Sequence, residues 1–120
     1  GYGVKKSATG ALQHLQFAVQ GEGATANIKT HATHVSASIS NVLLWTDQAI
    51  AKAQEVRAAP DAGAARLVAE LAVLVGQINE GTDANQDGQI DWQVGEGGLQ
   101  QAHTHMTLMM KGEGLENAPR

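Results

Sequence analysis

The stretch ATANIKTHATHVSASISNVLLWTDQAIAKAQEVRAAP, residues 24–60, decides the fold. Within it Ile28, Ala32, Val35, Ile39, Val42, Leu43, Ile50 and Ala53 recur at helical intervals and lay an apolar stripe along one face of an α-helix. Pro60 ends the pattern, because the residue before a proline is pushed out of helical backbone. A helix over about 24–58 follows.

Similar stripes stand on either side. Val4, Ala8, Ala11, Leu15, Ala18 and Val19 predict a helix over about 4–20, closed by Gly21. Pro60 and Asp61 open a third helix, about 61–80, whose Ala64, Leu67, Val68, Leu71, Leu74, Val75 and Ile78 share a face until Gly81. Leu99, Ala102, Met106, Met109 and Met110 give a fourth, about 97–111, with a frayed tail over 112–120. Short connections between amphipathic helices favour neighbours that reverse direction. The expected fold is therefore all-α, a single domain over 1–120 built as an antiparallel up-down-up-down four-helix bundle. Gly-Glu-Gly occurs at 21–23, 95–97 and 112–114, each time at a predicted helix boundary, where glycine caps and glutamate favours a following helix start.

Composition fits that class and narrows the partners. Of 120 residues 42% are apolar, carried by Ala, Val, Leu and Ile, while the aromatics are Tyr2, Phe17, Trp45 and Trp92, which suits closely packed helices. A formal charge of −4 without a Lys/Arg cluster offers nothing to a phosphate backbone, so nucleic acid is not an expected partner. No apolar run approaches the roughly 18 residues of a membrane span. The absence of cysteine excludes disulfides, thiolate metal sites and covalent haem attachment.

The segment joining the third and fourth helices carries the most specific chemistry. In Asp83-Ala84-Asn85-Gln86-Asp87-Gly88-Gln89-Ile90-Asp91, three side-chain oxygens alternate along the chain and Gly88 permits the sharp turn between them. The pattern D-x-N-x-D-G-x-I-D resembles the loops of EF-hand and dockerin proteins, over about a dozen residues. The resemblance implies Ca²⁺ held by Asp83, Asn85 and Asp87, by the Gln89 backbone carbonyl and by Asp91, with Ile90 as the apolar anchor. Val94 stands where the family has its bidentate acid. Glu96, flanked by Gly95, Gly97 and Gly98, is expected to fold back and complete the shell, giving a lengthened loop over 83–96. An incomplete shell implies weak binding, on the order of 10⁻⁴ to 10⁻³ M, which points to a secreted or periplasmic setting.

Five histidines form a second candidate. His14 and His31 each lie seven residues from the turn joining the first two helices, and His103 lies seven past Glu96, so a bundle brings all three to one level. His31 and His34 stand at i and i+3, a spacing that grips one metal from a single helix. The stripe through Leu99, Met106 and Met110 turns His103 inward and His105 away. The candidate ligands are therefore His14, His31, His34 and His103, for Zn²⁺, Cu or haem iron, with Met106 or Met109 as a softer donor. The competing reading leaves the histidines structural and the methionines as core.

No nucleophile elbow, phosphate loop, dinucleotide fingerprint or His-Glu-x-x-His pair occurs, so an enzyme is not expected. The chain reads as a calcium-binding structural or assembly module, its sparsely charged surface suited to packing against copies of itself or a larger assembly. The alternative is a transition-metal or haem protein centred on the histidines.

Overall fold

A computed structural model describes residues 3–115, and these are all-helical: α1 Val4–Gln20, α2 Ala26–Ala58, α3 Asp61–Glu80 and α4 Leu99–Gly112. The helices fall where the stripes place them, with differences at the ends. Helix α2 begins at Ala26 because the Thr25 hydroxyl accepts from the Ile28 N–H, a cap that Gly23 and Ala24 cannot supply. Helix α4 begins at Leu99 because Gly97 and Gly98 are pressed against neighbouring backbone. A Cβ on Gly98 would stand 2.7 Å from the Gln77 carbonyl oxygen.

Helix α2 is the spine. At 33 residues it runs about 50 Å, close to the 57 Å length of the molecule. Helix α1 lies antiparallel on its first half, with Ala8 and Leu15 buried alongside Ala32, Val35 and Ile39, and with the Lys5 ammonium 2.7 Å from Asp47 at the far end. Helix α3 lies antiparallel on its second half, where Lys52 meets Glu70 at 2.9 Å. Helix α4 covers the first half from another side. Asn27 donates to the Met109 carbonyl at 2.9 Å, and Asn41 donates to the Gly97 carbonyl at 2.9 Å, so α4 also runs antiparallel to α2.

This order corrects the expected up-down-up-down bundle. Both α3 and α4 run against α2, so α4 continues the direction of α3, and α1 makes no close backbone approach to either of them. The cause is the connection at 81–98. It folds into a compact knot beside Ser38 and Asn41 that carries the chain past the middle of α2 without reversing it. The loop therefore sits at the waist of the spine and not at the end shared by α1 and α2.

The residues holding the knot are the buried polar ones. Ser38, Asn41 and Glu96 are 0%, 3% and 3% exposed. Asn41 Nδ2 donates to the Gln93 and Gly97 carbonyls at 2.8 and 2.9 Å, while its Oδ1 accepts from the Gly95 N–H at 2.8 Å. At the other end of α4 the chain is also tied down. Glu113 accepts from the Thr25 hydroxyl and from Asn27 Nδ2, which holds its carboxyl below the usual carboxylate range, and the Leu115 N–H donates to the Met110 carbonyl. Of the tail expected to fray over 112–120, residues 116–120 lie outside the described residues.

No helix is long and apolar enough to cross a membrane among the described residues. The α2–α3 arm is thinly covered: Leu67 is buried, whereas Val68, Val73 and Val75 are about half exposed or more. Trp45 is buried at 6% exposure.

Because Asn41 satisfies three backbone groups at once, Asn41→Ala is expected to destabilise the fold by about 3 kcal/mol in urea denaturation. A loss below about 1 kcal/mol would show that the knot is held elsewhere.

Candidate metal centre

The antiparallel pairing of α2 and α4 brings three histidines together. His31 and His34 project from one face of α2, one turn apart, and His105 meets them from α4. Its Nδ1 stands 3.2 Å from His31 Nδ1 and 3.2 Å from His34 Nδ1. The ligating nitrogens of all three lie within 4.8 Å of one another, and all three residues are half-buried. Among the described residues no other group of three His, Asp or Glu side chains converges in this way.

Straight hydrogen bonds account for only one of the two short contacts. A neutral imidazole Nδ1 carries either one N–H or one lone pair in the ring plane, so His105 Nδ1 can make one straight hydrogen bond and not two. A shared cation accepts all three lone pairs. Two nitrogens bound at about 2.0 Å to one tetrahedral ion stand about 3.3 Å apart, close to the separations found here. The residues thus fit a metal.

Two of the rings are also pushed toward the protonation state a metal needs. Burial, and then the proximity of His31, hold His34 below the ordinary histidine value. Burial, and then His34 and His31, hold His105 down likewise, with Asp91 pulling the other way. Both are therefore neutral imidazoles at pH 7, with lone pairs available for coordination.

Trp92 supplies one wall. Its indole stacks on His34 with ring centroids 4.0 Å apart and planes 19° from parallel. Its carbonyl accepts from the Ser38 hydroxyl at 3.2 Å, one turn along α2 from His34. Trp92 therefore braces the ring of His34 and also joins the loop to the centre.

Two of the four expected ligands, His31 and His34, are in the cluster. His14 and His103 are not. His14 is exposed on α1, edge-on to Phe17 at 6.3 Å. His103 is exposed on α4. The member of the cluster missed from the sequence is His105, which stands between Ala102 and Met109, the two residues of α4 that are buried. The expected stripe leaned on Leu99, Met106 and Met110, each about 40% exposed.

The Asp83–Glu96 loop turns its side chains onto its own backbone. Asp83 Oδ1 and Asn85 Oδ1 accept from the Asp87 N–H at 3.1 and 2.9 Å. Asp83 Oδ2 accepts from Gly88 at 2.8 Å, and Asp87 Oδ1 from Gln89 at 2.9 Å. Gly88 takes a φ of 90°, in the left-handed region that favours glycine. Glu96 does fold back into the loop, each carboxylate oxygen 3.1 Å from a backbone N–H, Oε1 from Asn85 and Oε2 from Asp91. Val94 is 83% exposed and takes no part. Ile90 is half-buried, its Cγ2 within van der Waals reach of the Gly81 backbone.

No family model, curated protein or solved structure matches this chain.

Glu96 carries two backbone donors on one buried carboxylate. Glu96→Gln turns one oxygen into a donor facing a donor, and about 1–3 kcal/mol of stability should go with the lost bond. Thermal melts in chelator, without metal, read this directly, and an unchanged melt would mean the carboxylate does not organise the loop.

Proposed function

We propose that this protein is a metal-binding helical domain whose functional centre is His31, His34 and His105, holding one divalent transition-metal ion. The single observation that carries the reading is the meeting of three imidazole nitrogens, with His105 Nδ1 standing 3.2 Å from both His31 Nδ1 and His34 Nδ1. An all-imidazole set favours the borderline ions Zn²⁺, Cu²⁺, Ni²⁺ and Co²⁺ over Mg²⁺ or Ca²⁺, which prefer oxygen. Haem suits it poorly. A porphyrin fills the equatorial positions of its iron and leaves only axial places, whereas these nitrogens converge from one cluster.

Titration of the chelator-stripped chain with Ni²⁺ or Zn²⁺ tests the reading. One ion per chain is expected, with a change in Trp92 fluorescence because the indole lies against a ligand ring. His105→Ala should weaken binding by at least about 100-fold, beyond the 10–100-fold typical of outer-shell partners. His103→Ala should leave it unchanged. Equal losses in the two variants would indicate adventitious surface binding.

A second reading concerns the loop, and Glu96 favours it. An acid buried inside an EF-hand-like turn supplies the carboxylate that Val94 lacks, and Asp83, Asn85, Asp87, the Gln89 carbonyl, Asp91 and Glu96 would form the oxygen set once drawn in around Ca²⁺. Bound calcium would brace the waist of a structural or assembly module working at extracellular calcium levels. Millimolar Ca²⁺, and not equimolar Mg²⁺, should raise the melting temperature of the wild type and leave that of Asp87→Ala where it was. No rise in the wild type removes this reading and does not touch the histidine centre.

A further inference from the structure

We infer that an ion held by His31, His34 and His105 keeps one exchangeable coordination position, and that this position takes a small monodentate anion. The inference rests on the histidine reading above and goes beyond it: the centre becomes a ligand-binding site and not a closed structural one.

Donor count is the first ground. A structural zinc site is closed by four protein ligands, whereas three leave a place for solvent or a ligand. Among the described residues no fourth His, Asp or Glu joins the three histidines within 4.8 Å, and the chain has no cysteine to supply a thiolate. Asp91 is near enough to His105 to favour positive charge there, yet it does not belong to the converging set.

Charge is the second. Three neutral imidazoles bring no negative charge, so a divalent ion among them keeps its full +2, unlike an ion in a carboxylate or thiolate site. The surroundings offset little of it. The Trp92 indole that stacks on His34 carries no charge, and the one acid named against His105 is Asp91. In a half-buried, poorly screened setting, an anion in the remaining position gains more than water does.

Access is the third. All three histidines are half-exposed, so solvent reaches the cluster. Trp92 covers one face of His34, and α2 and α4 form the floor. Such a place admits a small ligand such as azide, thiocyanate or a short carboxylate.

The test uses Co²⁺, whose visible absorption reports coordination number and ligand exchange. The full chain loaded with one equivalent of Co²⁺ is titrated with sodium azide, and cobalt is assayed after gel filtration. A saturable spectral shift, with cobalt still bound one to one, is the expected result, and it should persist in His103→Ala. A spectrum that azide leaves unmoved overturns the inference while the histidine reading survives. So does a shift produced only by loss of cobalt from the protein. Failure to take up Co²⁺, Ni²⁺ or Zn²⁺ at all overturns the histidine reading itself.

Discussion

A carboxylate that is 3% exposed must find donors, and the fold is arranged so that Glu96 finds two. The Asn85 and Asp91 N–H groups come from opposite arms of the loop, so the side chain pins them together. Close packing then fixes where that pinned loop sits. A Cβ on Gly97 would stand 2.6 Å from Ser38 Oγ and 2.7 Å from the Asp91 carbonyl oxygen, a contact that leaves room only for glycine. Gly81, at φ 86°, and Gly98 meet across the same seam, where the Thr82 N–H donates to the Glu96 carbonyl at 2.9 Å. Asn41 fastens the assembly to the spine.

The architecture follows from that fastening. Once residues 81–98 are knotted against the middle of α2, α3 has to arrive and α4 has to leave at the same level, and each is left with one half of α2 to cover. The two therefore run end to end in the same direction. The three copies of Gly-Glu-Gly show how far context decides the use of one tripeptide. At 21–23 it is an exposed turn after α1, at 95–97 its glutamate is the buried pin, and at 112–114 its glutamate ties the end of α4 to the start of α2.

How much of this was legible in the sequence depends on the range of the physics. Helix extents follow from local periodicity and from glycine and proline signals, and all four helices stand where those signals put them. Glu96 was also legible, because glycines on both sides of an acid displaced from its usual loop position leave it free to fold back. Topology was not. Whether a connection of that length reverses the chain depends on Asn41, whose role appears only once Gln93, Gly95 and Gly97 are beside it. The choice between His103 and His105 turned on the rotation of α4 about its axis. Ala102, His105 and Met109 stand at i, i+3 and i+7, a good helical face, but alanine and histidine carry less apolar weight than Leu99, Met106 and Met110. The larger side chains, each about 40% exposed, lie on the more open flank.

The placement of His105 depends on the same knot. Helix α4 is fixed at its start by the seam of Gly81, Gly97 and Gly98 and at its end by Asn27 and Glu113. Between those two anchors its register on α2 has no freedom, and a slip of one residue would rotate His105 by about 100° away from His31 and His34. Trp92 adds a shorter route, since it follows Asp91, whose N–H is held by Glu96, and its indole rests on His34. Whatever orders the loop thus acts on two of the three histidines, one through its helix and one through its ring. Binding free energies coupled in this way are reciprocal, so an ion bound at the histidines would stabilise the ordered loop by as much as the ordered loop would favour the ion.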